Sequence, residues 1–308
     1  MTAVGVSVGV ADAVNYVDAV VAHAREAADA GLASVWVGQR FDYDAITLAS
    51  IIGREVEGIE VGTAAVPVFG RHPLALAMGA QTAQAATHGR FRLGLALGAP
   101  DLVERAFGIP YDRPIGMLRE ALTVINSVQE TGTVDFHGER VSAAPPWPTP
   151  LPGAQPAPIY IAGMGPQAMK VAGSLASGII PFLAGPRTLK LEIIPQLARA
   201  AQDAGRPKPR VIVFAMGVVT SQAESARAIA LKELALYEAI PSYQRVMDLE
   251  GVERAGDLAV IGDEQQVADQ FHRYVDAGAT DVVFTRSHLL GNADRLRTYR
   301  MLAELASE

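Results

Sequence analysis

Two hydrophobic periods alternate along this chain. Short apolar runs at Val4–Val8, Ser34–Gly38, Ile59–Val66, Phe91–Leu97, Pro158–Ala162, Gly178–Phe182, Arg210–Val218 and Thr280–Thr285 read as eight strands, mostly apolar on consecutive residues and so covered on both faces. The segments between them carry a helical period. Val17, Val20, Val21, Ala24 and Ala28 share one face of the first helix; Val267, Phe271, Tyr274 and Val275 share one face of a late helix, with Asp263 as its N-cap. The phrase Asp-Ala-Gly recurs at 29–31, 203–205 and 276–278, each time before a β-branched run, as expected of a glycine helix stop followed by a strand.

The stretch from Val61 to Gly94 shows the unit most fully. Val61–Val68 is a strand in which Pro67 ends ladder donation, Pro73 opens a helix reaching to about His88, Gly89 stops it, and Phe91–Leu97 is the next strand. One helical crossover between two strands favours a parallel pair. Eight such strands predict an α/β fold of the (β/α)8 TIM-barrel type in one domain spanning 1–308, with ligands at the carboxyl ends of the strands. Two stretches break the rhythm. Residues 132–157 form an insertion, a short hairpin around Thr133–Val141 followed by a proline-rich run from Pro145 to Pro158; residues 236–258 are partly helical and are expected over the barrel mouth.

Composition narrows the function classes. A net charge of −7 supplies no broad basic face, so nucleic acid is not an expected partner. The absence of cysteine removes disulfides, thiolate nucleophiles and thiolate-bound metals, and fits a reducing cytoplasm. No apolar run is long enough for a bilayer, so no membrane association is expected. Six histidines at 23, 72, 88, 137, 272 and 288 fall in no metal-ligand spacing, and no G-x-S-x-G marks a hydrolase.

With Val61-Gly-Thr-Ala-Ala65, His72-Pro73, Gly89-Arg-Phe-Arg-Leu-Gly94 and the ending from Ile261-Gly262-Asp263 to Ala277-Gly278, nearly the whole chain resembles the luciferase-like family of flavin and deazaflavin oxidoreductases, more closely its coenzyme F420-dependent branch. That resemblance implies a bacterial luciferase-like barrel and a homodimer. It also implies a non-prolyl cis peptide at Ala64–Ala65, behind the cofactor ring and next to Thr63. Gln39 would meet the pyrimidine edge of the ring, and Leu97, Gly98 and Ala99 would face it. The same small residues also suit a barrel interior with no ligand, and Gln39 and Arg40 equally suit a solvated loop.

After the fifth strand, Ala162-Gly163-Met164-Gly165-Pro166 forms a glycine turn into a helix, whose amides and dipole suit a phosphate. Family members hold the cofactor phosphate with this turn. The letters also fit a G-x-G-x-x-A dinucleotide fingerprint, but Ile179–Ala184 lacks the acidic residue that would hold ribose hydroxyls. Relatives place a proton-transferring histidine and glutamate where this chain has Arg40 and Ala99. The remaining groups near the mouth are Asp42, Tyr43, His72 and Tyr111, with Tyr43 ranked first as the catalytic candidate and His72 expected in a structural hydrogen bond.

The leading expectation is an F420-dependent oxidoreductase passing hydride between the deazaflavin and a small organic substrate. Its alternatives are an FMN-dependent two-component monooxygenase and a deazaflavin-binding protein without turnover. Metal chemistry is not expected.

Overall fold

A computed structural model describes residues 2–10 and 13–307. In chain order the elements that matter are β1 (Ala3–Ser7), α1 (Tyr16–Asp29), β2 (Ser34–Val37), α2 (Ala45–Glu55), β3 (Glu60–Thr63), α3 (Pro73–Ala86), β4 (Phe91–Ala96), α4 (Pro100–Phe107), α5 (Pro114–Thr131), β5 (Ile159–Ala162), α6 (Pro166–Leu175), β6 (Gly178–Ile179), β7 (Arg210–Val219) and β8 (Asp281–Thr285). The chain forms two compact units, one of Met1–Val35, Ile180–Ala198 and Arg210–Glu308, the other of Trp36–Ile179 and Arg199–Pro209.

In the first unit β7, β8 and β1 are parallel neighbours, with Ile212 opposite Asp281 and Val4 opposite Val282. The entry to β2 joins β1 through the Ala33 amide on the Val4 carbonyl, 2.9 Å. In the second unit the end of β2 accepts from Ala64 at 2.8 Å, and β3, β4, β5 and β6 follow in parallel order. The continuation of β6 returns to the first unit, where Phe182 bridges Phe214 and the Phe214 amide donates to Pro181 at 2.8 Å. The strands therefore close into a parallel (β/α)8 barrel.

All eight expected strands are present. A further strand, Val260–Gly262, pairs with the last residues of β7 and lies in the Ile261-Gly262-Asp263 motif without having been expected as a strand. The expected third strand is interrupted at Ala64–Ala65 and resumes at Val66–Pro67. Pro67 does not end the ladder, because the Val68 amide carries it on to the Ala96 carbonyl at 2.9 Å. The first helix is centred on Val20, Ala24 and Ala27, with Val17 and Ala28 only half-buried. Asp263 is the expected N-cap, in a capping box with Gln266. Gly31, Gly205 and Gly278, which close the three repeated phrases, all have positive φ.

The Gly89–Gly94 motif is built to lock the base of the second unit. The Arg90 guanidinium donates to the carbonyls of Gly53, Val56 and Ile59, gathering the end of α2 and the start of β3. Arg92 pairs with Glu60. Around them Trp36, Val61, Phe91, Leu93 and Tyr160 are almost wholly buried, and Trp36 meets Tyr160 edge-on at 6.2 Å. A Cβ at Gly62 would lie 2.3 Å from the Trp36 ring, so glycine there is what admits the indole.

The insertion contains the hairpin Phe136–His137 with Ser142–Ala143, and its proline run has no regular structure. Glu120 of α5 anchors it by accepting from the amides of Glu139, Arg140 and Val141 at 2.9–3.0 Å. Residues 236–258, in the first unit, contain a helix, Pro241–Glu250, and Phe182 packs against Tyr237 and Tyr243 of that region. No helix of the described residues is long and apolar enough to cross a membrane.

Candidate cofactor site

The carboxyl ends of β2 to β5 lie side by side within the second unit. Val37 accepts from Ala64, Pro67 stands opposite Ala96, and Ala96 opposite Ala162. The sequence continues from these ends into Gly38-Gln39, Leu97-Gly98-Ala99 and Gly163-Met164-Gly165. Gly38, Gln39, Ala64, Ala65, Leu97, Gly98, Ala162, Gly163, Met164 and Gly165 are half-buried, whereas Ala99 is exposed and Thr63 fully buried.

The strand pairing shows why β3 breaks. Gly62 is opposite Arg92, but Val66 is opposite Leu95, so residues 63, 64 and 65 face only 93 and 94. One extra residue makes a bulge, which bends the strand and turns its backbone out of the ladder. Thr63 fills the gap: its hydroxyl donates to the Gly94 carbonyl at 3.0 Å and accepts from the Gly94 amide at 2.9 Å. The Gly94 amide is buried where the ladder breaks and takes Thr63 as its partner, while the Gly94 carbonyl also receives the Val66 amide where the ladder resumes. Thr63 is thus occupied in holding the bulge and offers nothing to a ligand, while Ala64 and Ala65 present methyl groups and backbone. The Ala64–Ala65 peptide is cis, as the resemblance implied. On the β2 side, a Cβ at Gly38 would stand 3.4 Å from the Ala64 carbonyl oxygen.

Gln39 closes its own loop. Its amide nitrogen donates to the carbonyls of Arg40 and Tyr43, and its oxygen accepts from Ala45 N and Arg71, both at 3.1 Å. Two donors and two acceptor positions are then used, so the side chain has none left for a cofactor edge. Arg71 also pairs with Asp44, which caps α2 by accepting from the Thr47 amide and hydroxyl at 2.8 Å each. Partial burial raises the Asp44 pKa, but the bonds from Thr47 and Arg71 outweigh it and hold the carboxyl below its ordinary range. Arg40 is paired with Asp42 and lies 5.9 Å from the Tyr43 ring centre.

At the end of β4, Gly98 adopts φ +80, a conformation that favours glycine, and turns the chain into α4. The Tyr111 hydroxyl donates to the Gly98 carbonyl at 3.2 Å, its ring lies 5.0 Å from Phe69, and burial raises its pKa. The Tyr111 hydroxyl thereby bonds to the residue that turns the chain out of β4. His72 is structural as expected: its Nδ1 accepts from Leu74 N at 3.2 Å, so its Nε2 carries the proton and donates to Ser142 O at 3.0 Å.

At the end of β5 the chain turns through Gly163–Gly165 into α6. Gly165 is the N-cap position and provides no side-chain cap, and Pro166 opens the helix. The amides of Met164 and Gly165 have no partner among the described residues. A Cβ at Gly163 would meet Ala168 at 3.3 Å, and the space beside Gly165 is open for 4 Å. An uncapped helix start with open amides suits an anionic group.

The luciferase-like monooxygenase family model matches residues 1–281, and the chain belongs to this family. A curated relative, the F420-dependent glucose-6-phosphate dehydrogenase of Microbacterium testaceum, is 26% identical over 259 residues, covering 78% of this chain and 76% of its own. Among solved structures, an F420-dependent secondary alcohol dehydrogenase in complex with an F420–acetone adduct superposes with a TM-score of 0.81 at 19% identity, covering 99% of this chain and 98% of its own. The oxygenating constituent of 3,6-diketocamphane monooxygenase from Pseudomonas putida, in complex with FMN, superposes with a TM-score of 0.80 at 15% identity, covering 98% and 97%. The protein is a luciferase-like oxidoreductase by family, and its relatives use either F420 or FMN.

Two measurements check this geometry. Thr63→Val strands the Gly94 amide in the core and is expected to lower unfolding stability by about 1–3 kcal/mol in urea melts with an unchanged slope; a stability loss within error would remove Thr63 from this role. Because the Asp44 pKa is depressed on folding, its contribution is complete above the unfolded value near ~4 and is lost as pH falls through the folded one. Protection of the Thr47 amide, as its exchange rate relative to the intrinsic rate at each pH, should therefore fall as acid protonates Asp44 in the native chain, and show no such step in Asp44→Asn.

Proposed function

We propose that the protein is a coenzyme F420-dependent oxidoreductase exchanging hydride with a small organic substrate. The observation that carries this reading is the bulged end of β3. Gly38, Ala64, Ala65 and Gly98 make a ledge with no side chain larger than a methyl group, and the open start of α6 follows β5. A planar tricyclic ring approaches backbone closely only over such a surface, and its phosphate-bearing tail needs amides such as those of Met164 and Gly165. Leu97, Ala162 and Gly163 complete the strand ends beside it. When bound, the deazaflavin supplies or accepts the hydride. The residues here orient the ring and restrict water rather than transfer protons.

Relatives named as F420-dependent favour this cofactor. The neighbour that binds FMN favours the second reading, a flavin-dependent monooxygenase, because the same ledge and turn suit both rings. Sugar-phosphate oxidation fits less well: Arg40 is engaged by Asp42, and Ala99 carries no titratable group. If a proton is required, Tyr111, bonded to Gly98, stands at the end of β4 and could supply it. The test is a titration of the purified chain with F420 and with FMN. F420 should bind tighter, and Ala65→Leu should weaken it about tenfold or more at unchanged melting temperature, by filling the ring's space. Tighter binding of FMN would reverse the assignment, and undiminished binding by Ala65→Leu would remove the ledge from it. Binding without hydride exchange across a broad substrate panel would instead fit a cofactor-binding protein.

We also propose a homodimer through α2 and α3. These helices pack on each other, α3 carries no charged residue, and Ile51, Ala75, Met78 and Thr82 are exposed on them. Light scattering should give twice the chain mass, and Met78→Lys should shift it to one; a monomeric native chain would refute the interface.

A further inference from the structure

The helix that leaves the ledge is only half used by the fold. Around α4 the residues Leu102, Ala106, Val103 and Phe107 form one contiguous apolar arc, and Asp101, Glu104 and Arg105 form the opposite side. One edge of that arc packs. Val103 is buried, with its Cγ2 3.0 Å from the Cβ position of Gly98, and Phe107 lies 2.9 Å from that of Gly70. The other edge, with Leu102 47% exposed, is open, and on the packed edge Phe107 still keeps 40% exposure beside Phe41, which is 68% exposed, with their rings 6.0 Å apart. A hollow of about 490 Å³ opens along this edge, lined by Ala99, Asp101, Leu102, Arg105 and Ala106.

Three large apolar side chains gathered in water along one short helix and its neighbouring loop differ from scattered surface leucines, and such a patch marks a binding surface. Its volume suits a small molecule. It is continuous with the ledge, because Ala99 lines the hollow and directly follows Gly98. Its electrostatics are balanced. Arg40 pairs with Asp42 and Arg71 with Asp44, and the hollow itself is lined by one residue of each sign, Asp101 and Arg105. A charged substrate of either sign would lose hydration here while meeting a like charge as well as an opposite one, Asp101 against Arg105.

We infer that this edge of α4, with Phe41, is the substrate-binding lip, and that the substrate is an uncharged organic compound with an apolar alkyl or aryl portion. The inference rests on the reading of the ledge as the redox site. The test uses Nile red, an uncharged apolar dye, on the full chain without added cofactor. Dye emission should be enhanced by the native chain. Its affinity should fall at least about fivefold in Leu102→Asp and in Phe107→Ser, and stay unchanged in Leu296→Asp, a leucine 41% exposed on the last helix. Straight-chain vinyl ketones should displace the dye with affinity rising about two- to fourfold per methylene, and a carboxylate-ended analogue of equal length should compete at least about tenfold less well. Native affinity in both lip variants, or equal competition by the carboxylate, would overturn the inference. A chain that shows the lip behaviour yet fails to bind either F420 or FMN would keep the lip and sink the redox reading, so the two failures are separable.

Discussion

The geometry of the site depends on one side chain replacing a piece of ladder. A parallel barrel satisfies its backbone by pairing each strand with two neighbours, and a strand with one residue too many leaves a donor, here the Gly94 amide, stranded in the core. Thr63 resolves this by bonding both groups of Gly94 with a single hydroxyl. The surplus residue is thereby allowed to leave the ladder at the carboxyl end of the strand. Ala64 and Ala65 can face outward because Thr63 faces inward. A side chain that accepts from the Gly94 amide is required, which neither valine nor alanine provides at this position.

The polar side chains around the strand ends follow the same logic. Gln39 spends its amide on closing the loop from 39 to 45, Asp44 and Arg71 fix that loop to α2, and Tyr111 holds Gly98. His72 ties the start of α3 to the insertion. Each of these groups shapes backbone. What is left facing the ledge is methyl, glycine and amide, a surface suited to positioning a flat molecule rather than to acid–base work. Such a surface is consistent with a redox cofactor that brings its own reactivity.

Architecture was legible in the sequence, and side-chain assignments were less so, for a physical reason. Strand existence follows from apolar runs bounded by glycine and proline, so all eight barrel strands and the cap at Asp263 follow from local pattern. The β3 break at Ala64–Ala65 came from family resemblance, since a register shift involves two strands and leaves no local mark. Gln39 illustrates the limit: as a strand-end amide it suits a ligand edge, but its partners lie six and 32 residues away, at Ala45 and Arg71. The strand at Val260–Gly262 was missed because three residues are too few for a period. The exposed arc of α4 was readable in principle as Leu102, Val103, Ala106 and Phe107 at helical spacing; that only part of it is covered is a fact of packing, which spacing does not contain.

The ledge and the proposed lip are mechanically one feature. Gly98 turns the chain out of β4, and its missing side chain is what lets Val103 close down on the turn. That contact sets how α4 is rotated about its axis, and the rotation determines which part of the apolar arc faces the hollow. Tyr111, arriving from beyond the helix, fixes the Gly98 carbonyl and stacks near Phe69, so the turn is held from both sides. A larger residue at 98 would therefore alter two things together: the floor on which a ring could rest and the orientation of Leu102 above Ala99. In a site with few polar contacts to spare, substrate choice would then follow from the same backbone turn that admits the cofactor, with shape and desolvation taking the role that charged residues play elsewhere.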